Sequence, residues 1–537
     1  MEIDNIYTIK LITEFIMNKS KKHFKCLIIY PPNQLMDIET PRPDGSLGPL
    51  YLASVLDSIG IETDVLDASV GSDDFSLKDT FYRRIRQGNG LIRIGMNFNE
   101  IADHVQKKHY NFVAISSNFT PQTNMAFKTA EAIKEKNNDI KIFAGGVNAR
   151  NLSQRFLKTG NFDGICLSEG EKIFPKMILA SINNYSISKI PGTASINEDG
   201  KIITNPVDKT CFPKLLDDIP MPKWISLPFQ KYEKIASPHG VNISDRGAQR
   251  YAPIMTSRGC PFKCAYCHIS EEKNNSSTFG DIGSLRTHSI DRVIKEIDYL
   301  VSLNVRKLFF EDDSLLADKD RVKTIFKKVK NKKLSIANVN GVNLVHFFNT
   351  HDRSGWIDGK FDIDTEYLEI LKDSGFDQIV FPVESASKRI LKLYATNKIN
   401  LDRMDLFSLM KIMSKMDIQA PVNMMIGFPD ETEKEINMSI DFAKMLMDYG
   451  APYVTFFIPI PFPGSSLYNI AINGDYLDKN FDTDKMNWKN PVMKNTTVNP
   501  ERLVEIRDRA NKEVNTKEHL KKRLINSAGH RFIEQIN

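Results

Sequence analysis

Short apolar runs alternate with amphipathic stretches along this chain from about residue 25 onward. Apolar runs of four to eight residues bounded by turn formers read as buried strands, and apolar positions recurring at i, i+3, i+4 and i+7 read as helix faces. Strands are expected at 26–30, 62–66, 112–116, 141–144 and 164–167, with helices at 48–58, 99–108, 124–136, 149–158 and 171–180. Such alternation predicts an α/β fold, a doubly wound parallel sheet that binds ligands beyond the carboxyl ends of its strands. The residues at those ends are small or polar. Pro31, Pro32 and Asn33 follow the first strand; Ser116, Ser117, Asn118, Phe119 and Thr120 follow the third; Gly145, Gly146, Val147 and Asn148 the fourth; Ser168, Glu169, Gly170 and Glu171 the fifth. They let backbone amides approach a large ligand, although each alone is also an ordinary tight turn.

The rhythm lapses over 186–250, which is rich in turn formers and reads as a linker carrying a small hairpin at 192–204. His239 in this stretch reads as a surface loop residue. Alternation then restarts, with strands expected at 254–257, 307–310, 334–338, 378–383, 421–426 and 453–458, and helices at 290–303, 319–330, 365–374, 404–415 and 434–449. The expected organisation is an N-terminal helical extension (1–24), a first α/β domain (25–185), the linker (186–250), a second α/β domain (251–460) and a C-terminal helical region (461–537).

Composition narrows the classes. Hydrophobic residues make up 41% of the 537, ordinary for globular protein, and a formal charge of +5 demands neither nucleic acid nor a membrane. No stretch approaches the roughly 18 uninterrupted apolar residues of a membrane span. Leu11, Ile12, Phe15 and Ile16 have helical spacing, but residues 1–22 lack the basic start, apolar core and cleavage site of a signal peptide. Cys26, Cys166 and Cys211 lie far apart, which reads as buried structural cysteines in a reducing cytoplasm rather than a disulfide framework. Mixed charge over 502–523 reads as a solvated helix face.

The other three cysteines carry the chemistry. Cys260, Cys264 and Cys267 stand on one tight loop, Ser257-Arg-Gly-Cys-Pro-Phe-Lys-Cys-Ala-Tyr-Cys-His268. Three thiolates can hold three irons of a cubane iron–sulfur cluster and leave the fourth open to a small molecule. The alternative is a zinc loop with His268 as fourth ligand, although zinc favours Cys-x2-4-Cys pairs and adjacent residues rarely close one tetrahedral site. Three further motifs fall at expected strand ends: Glu311-Asp312-Asp313-Ser314, Phe381-Pro382-Val383-Glu384-Ser385 and Met425-Ile-Gly427-Phe-Pro429-Asp-Glu-Thr432.

The Cys-x3-Cys-x2-Cys spacing, with the aromatic Tyr266 before the last cysteine, resembles the radical S-adenosylmethionine (SAM) superfamily. The resemblance implies a partial (β/α)6 TIM-like barrel and a 4Fe–4S cluster on Cys260, Cys264 and Cys267, whose open iron binds SAM. It further implies that Asp312 or Asp313, left unranked, receives the SAM amino group; capping the following helix is the alternative for Asp313. Glu384 and Ser385 would contact the SAM ribose or methionine end, and Gly427 would admit adenine. Pro382 stands where the family has glycine, which leaves that backbone contact in doubt.

The first α/β domain is similar to the cobalamin-binding domain that precedes the radical SAM domain in the B12-dependent, class B methyltransferase-like subgroup. The similarity rests on Tyr30-Pro31-Pro32, Leu47-Gly-Pro-Leu-Tyr-Leu-Ala53, Asp67-Ala68, Gly145-Gly146-Val147-Asn148 and Gly170-Glu171 in order. It implies cobalamin contacts from Pro31, Asn33, Ser116, Ser117, Asn118, Gly145, Gly146, Glu169, Gly170 and Glu171. None of the ten histidines sits in Asp-x-His-x-x-Gly, so cobalt is expected without a protein imidazole on its lower face.

The implied activity is formation of a 5′-deoxyadenosyl radical and, with cobalamin, methylation of an unactivated carbon of a small-molecule or peptide substrate. An electron donor such as flavodoxin or ferredoxin is implied too. The alternative keeps both cofactors for rearrangement, cyclisation or oxidation without methyl transfer. A cobalamin carrier would not need the cysteine loop, and a methylthiotransferase would need a second cysteine trio that Cys26 and Cys166 cannot build. The long stretch 341–364, with His346, His351, Arg353 and Trp356, either covers the substrate or decorates the surface. The apolar run 456–468 either lines the pocket or leaves the core through a rigid turn.

Overall fold

The computed structural model describes residues 23–37, 39, 45–235, 250–338, 340–350, 354, 358–396, 398–487 and 489–519. The expectations for Leu11, Ile12, Phe15 and Ile16, for His239, His351, Arg353 and Trp356, and for 520–523 lie outside the described residues. The chain forms two compact units, residues 1–231 with 272–282, and residues 232–271 with 283–537.

In the first unit the strands are β1 (Lys25–Tyr30), β2 (Glu62–Asp67), β3 (Phe112–Ser116), β4 (Lys141–Gly145), β5 (Gly164–Cys166), β6 (Thr193–Ile196) and β7 (Ile202–Thr204), and the sheet runs β7-β6-β5-β4-β3-β1-β2. The five strands β1 to β5 pair in parallel, while β6 and β7 add an antiparallel edge. Cys26, Leu27, Ile28 and Ile29 are all buried, as a central parallel strand covered on both faces requires. Helices α1 (Leu47–Ser58), α2 (Phe98–Lys107), α3 (Thr123–Lys136), α4 (Val147–Asn151), α5 (Ser153–Lys158) and α6 (Gly170–Ile182) connect the strands. Ile28, Leu56, Phe143, Ile173, Phe174 and Met177 share one core with Cys26, Cys166 and Cys211. Burial pushes the Cys211 thiol up to about 11, as suits a structural cysteine.

Two expectations change here. The single helix expected over 149–158 is two, because Leu152 leaves helical geometry between α4 and α5. The hairpin expected within a linker is the edge of the main sheet, since Ala194 and Thr193 of β6 pair with Ile165 and Cys166 of β5. Residues 186–231 accordingly belong to the first unit.

In the second unit β8 (Tyr251–Ile254), β9 (Lys307–Phe310), β10 (Ser335–Asn338) and β11 (Phe376–Ile379) form one parallel sheet, and β12 (Phe381–Glu384), β13 (Val422–Met425) and β14 (Val454–Phe457) form another. The strand expected over 378–383 is thus split at Val380, one half serving each sheet. Pro382 has no N–H to donate, and the register of β12 on β13 shifts between Pro382 and Glu384. A parallel bridge from Gln378 to Gln419 continues the curvature. Six successive strand positions therefore make an open parallel barrel, the (β/α)6 shape expected. Outside the strands lie α7 (Ile290–Ser302), α8 (Lys319–Val329), α9 (Thr365–Ser374), α10 (Lys388–Tyr394), α11 (Leu406–Lys415), α12 (Glu433–Asp448), α13 (Ser466–Asn473) and α14 (Pro500–Val514).

Candidate active site and cofactor crevice

The cysteine loop is built beyond the carboxyl end of β8, where active sites of parallel barrels sit. Gly259 has φ +77°, and a Cβ there would lie 2.2 Å from the Ser284 carbonyl oxygen, so only glycine fits. Its N–H donates to Asp313 Oδ2 at 2.9 Å. The N–H of Cys260 donates to the Gly283 carbonyl at 3.2 Å, Ala265 to Tyr394 at 2.7 Å, and Leu467 to Ala265 at 2.7 Å. The loop is thereby tied to the turn after β9, to α10 and to α13. Cys260 and Cys264 are buried, and Cys267 is more open.

Three thiols on a braced loop suit an iron–sulfur cluster, whose sulfurs are tuned by hydrogen bonds from the protein. One such donor is present: Asn343 Nδ2 lies 3.7 Å from Cys260 Sγ. Burial raises the Cys260 thiol above its ordinary value, partly opposed by this amide.

The two unranked acids have separate fates. Asp312 is fully buried and accepts the Thr256 N–H at 3.0 Å, the Thr256 hydroxyl at 2.7 Å and the Ser257 hydroxyl at 2.6 Å. Burial raises its pKa despite these donors. Asp312 therefore fixes the exit of β8, and it explains why that strand ends at Ile254, short of the expected 257: the Thr256 N–H is spent on a carboxylate rather than a ladder. Asp313 is partly exposed and braces Gly259 instead of capping a helix. The cap of α8 is Asp318, which accepts from the Arg321 N–H.

Glu384 stands in the left-handed region at φ +66°, which a non-glycine residue adopts at a cost. One of its oxygens accepts both the Tyr266 hydroxyl at 2.7 Å and the Lys398 ammonium at 2.6 Å. Lys398, buried and 5.7 Å from the Tyr266 ring centroid, was invisible to motif reasoning: it is one lysine in a polar turn. Burial alone would lower its pKa, but Glu384 and then Cys264 and Cys267 hold it above the ordinary lysine value. Burial and Glu384 raise Tyr266 far above the usual phenol.

Ser385 and Gly427 each have close protein neighbours. The Ser385 hydroxyl is fully buried against Ser439 of α12, at 3.2 Å. Gly427 has φ +95°, and a Cβ there would sit 2.2 Å from Leu503 Cδ2 of α14, so helix packing as well as backbone geometry demands glycine. Its N–H donates to Glu431 Oε2 at 2.7 Å, and burial pushes the Glu431 carboxyl up to about 8.

In the first unit the strand order reverses between β1 and β3, the switch point at which doubly wound sheets bind ligands. A crevice there is lined by Pro31, Asn33, Ser116, Ser117, Asn118 and Phe119 among others. Gln34 and Gln122 clamp its walls, the Gln34 N–H donating to Gln122 Oε1 and Gln122 Nε2 to the Gln34 carbonyl, each at 2.8 Å. Gly146 has φ +98°, and a Cβ there would fall 2.3 Å from Asn118 Oδ1. Asn148, buried behind it, donates to Ser117 Oγ at 2.9 Å and keeps Oδ1 without a hydrogen-bond partner. The glycine cradle and the small, polar strand ends let backbone amides approach the polar edge of a cofactor such as cobalamin. Glu169, Gly170 and Glu171 do not line this crevice: they begin α6 beyond β5, where Gly170 packs against Leu52 and Glu171 is buried. Gly145 ends β4, and a Cβ there would meet Cys166 at an ordinary 3.6 Å.

Comparison with known proteins agrees with this geometry. Residues 45–178 match the B12 binding domain and residues 254–443 the Radical SAM superfamily. An uncharacterized methyltransferase from Pyrococcus horikoshii is 28% identical over 407 residues, 75% of this chain and 76% of that protein. Cytidylyl-2-hydroxyethylphosphonate methyltransferase from Streptomyces wedmorensis is 24% identical over 509 residues, 88% of this chain and 86% of that one. Among solved structures, the radical SAM methyltransferase TsrM from Kitasatospora setae, with cobalamin and a 4Fe–4S cluster bound, has a TM-score of 0.59 at 13% identity, covering 84% of this chain and 78% of its own. The cobalamin-dependent SAM radical enzyme OxsB has a TM-score of 0.56 at 16% identity, covering 94% of this chain and 64% of its own. Among the described residues no helix is long and apolar enough to cross a membrane. A B12 binding domain followed by a radical SAM domain makes this chain a member of the cobalamin-binding radical SAM superfamily.

Proposed function

We propose that this protein is a cobalamin-dependent radical SAM C-methyltransferase acting on an unactivated carbon of a small-molecule or peptide substrate. The observation that carries the reading is a braced three-thiol loop in a chain that also holds a B12 binding domain. The cluster, SAM and cobalamin, when bound, supply a 5′-deoxyadenosyl radical and a transferable methyl group, chemistry no side chain can perform. The chain's part is to hold and orient. Cys260, Cys264 and Cys267 would ligate the cluster, with Asn343 donating to the Cys260 sulfur. Asp313, at the loop's edge, is the acid we assign to the SAM ammonium, a charge-assisted contact. Pro31, Asn33, Ser117, Asn118 and Gly146 would seat cobalamin at the switch point.

Methyl transfer is preferred to rearrangement or oxidation because relatives spanning most of this chain are described as methyltransferases. A reducing cytoplasm suits an enzyme with such a thiol loop, and a flavodoxin or ferredoxin would supply its electrons. Incubation of the anaerobically reconstituted protein with methyl-labelled SAM and candidate substrates tests the reading. Label in a carbon-bound methyl group is the expected result; substrate conversion without label would replace this function with the alternative.

A further inference from the structure

We propose that Lys398 is a positioning residue for the iron–sulfur cluster, a buried ammonium locked by Glu384 beside the cysteine loop that raises the cluster's reduction potential. The inference rests on Cys260, Cys264 and Cys267 being the cluster ligands. The Lys398 and Glu384 side chains are each only 7% exposed and lie 2.6 Å apart. A buried ion pair is expensive, and well-packed apolar residues often do as well for stability. A reason beyond stability is therefore needed, and the surroundings supply one.

The segment carrying Lys398 is the one that carries the cysteine loop. Tyr394 accepts the Ala265 N–H, the Ala395 carbonyl lies 3.7 Å from Cys264 Sγ and Thr396 Oγ1 lies 3.8 Å from it, and the Lys398 N–H closes back on Ala395. The Lys398 ammonium itself lies 5.7 Å from the ring centroid of Tyr266, a residue of the cysteine loop. Two residues are strained to hold this arrangement: Glu384 at φ +66° and the β-branched Thr396 at φ +49°. Strain of this kind persists where surrounding structure over-determines it, and it clusters at functional sites. The Tyr266 hydroxyl, within the loop itself, donates to the same carboxylate oxygen as Lys398.

The consequence is electrostatic. Reduction adds one electron from an external low-potential donor to the cluster and makes or breaks no bond, so the site becomes more negative by one charge. A fixed cation in a water-poor pocket stabilises that charge. Without it the electron is harder to place.

The test is an EPR-monitored potentiometric titration of the full-length chain, reconstituted anaerobically with iron and sulfide, without SAM. Lys398→Met is expected to lower the ratio of reduced to oxidised cluster at the wild-type midpoint at least tenfold, a shift of about 59 mV for one electron. Lys398→Arg and Tyr266→Phe, which keep the charge, should stay near wild type. Because Lys398→Met leaves a buried acid unpaired, Glu384→Gln/Lys398→Met is titrated beside Glu384→Gln, and the midpoint difference between those two, which isolates the ammonium, is read in its place if the single variant takes up no iron. A wild-type midpoint in Lys398→Met, or the same midpoint in Glu384→Gln with and without Lys398→Met, overturns the proposal, even if the variants bind SAM more weakly. Failure of the wild type to take up a cluster overturns the ligand assignment instead.

Discussion

Asp312 holds Thr256 by two groups at once, accepting its backbone N–H at 3.0 Å and its hydroxyl at 2.7 Å. That bond fixes the exit of β8, and with it the approach to the cysteine loop. Neighbouring Asp313 does a different job, bracing Gly259 from a partly exposed position. Substituting the pair should therefore separate stability from cofactor binding. Asp312→Ala strands three buried donors and is expected to cost about 2–4 kcal/mol, seen as a lowered Tm and poor iron uptake. Asp313→Asn should change Tm little and weaken SAM binding, measured by equilibrium titration of the reconstituted protein.

Gly427 is required twice over, by φ +95° and by Leu503 at 2.2 Å from its would-be Cβ. Gly427→Ala is expected to destabilise by about 2–4 kcal/mol from strain and overpacking together. Adding Leu503→Ala should recover the packing part only. A double-mutant cycle in denaturant measures that coupling, and additivity of the two substitutions would contradict the contact.

Glu431 gives the fold a pH dependence of definite sign. Its folded-state pKa is raised from 4.5 to about 8, chiefly by burial, so the folded protein binds the proton more tightly than the unfolded chain. Stability from this group is present below the unfolded value and falls as pH climbs toward the folded one, by up to about 1.36 kcal/mol for each unit of difference. Glu431→Gln keeps an acceptor for the Gly427 and Phe428 N–H groups and cannot ionise. It should flatten the fall in Tm between pH 5 and 8, roughly the span of that titration. An unchanged slope would mean another group is responsible.

Gly146 tests the crevice. Gly146→Ala drives a methyl group into Asn118 Oδ1 and the Ser117 carbonyl. Cobalamin retained after purification and desalting, read from its visible spectrum, should drop at least about tenfold while iron content holds. An equal loss of iron would point to general unfolding instead.

Much of this architecture could be read from the residues. Continuous buried runs such as Cys26–Ile29 and Leu308–Phe310 announce strands, because a covered parallel sheet needs apolar side chains on both faces. The cysteine triplet is legible because its chemistry is tied to local spacing. Side-chain roles past the strand ends were not, since alternation stops there: nothing in Glu311-Asp312-Asp313 tells which acid turns inward, and only Thr256 and Ser257, distant in sequence, decide it. Gly170 and Gly427 look like ligand contacts because glycine permits close approach, but Leu52 and Leu503 are what approach them. Lys398 left no periodic or motif signal; its partner Glu384 was found and the pair was not.

Quantifying 5′-deoxyadenosine formed from SAM by the reconstituted protein under strong reductant, beside Cys264→Ala, tests the central claim most directly. The account predicts the nucleoside from the wild type, together with brown cluster absorbance, and neither from the variant. Nucleoside formation that survives in Cys264→Ala, or its absence from iron-loaded wild type, would contradict it.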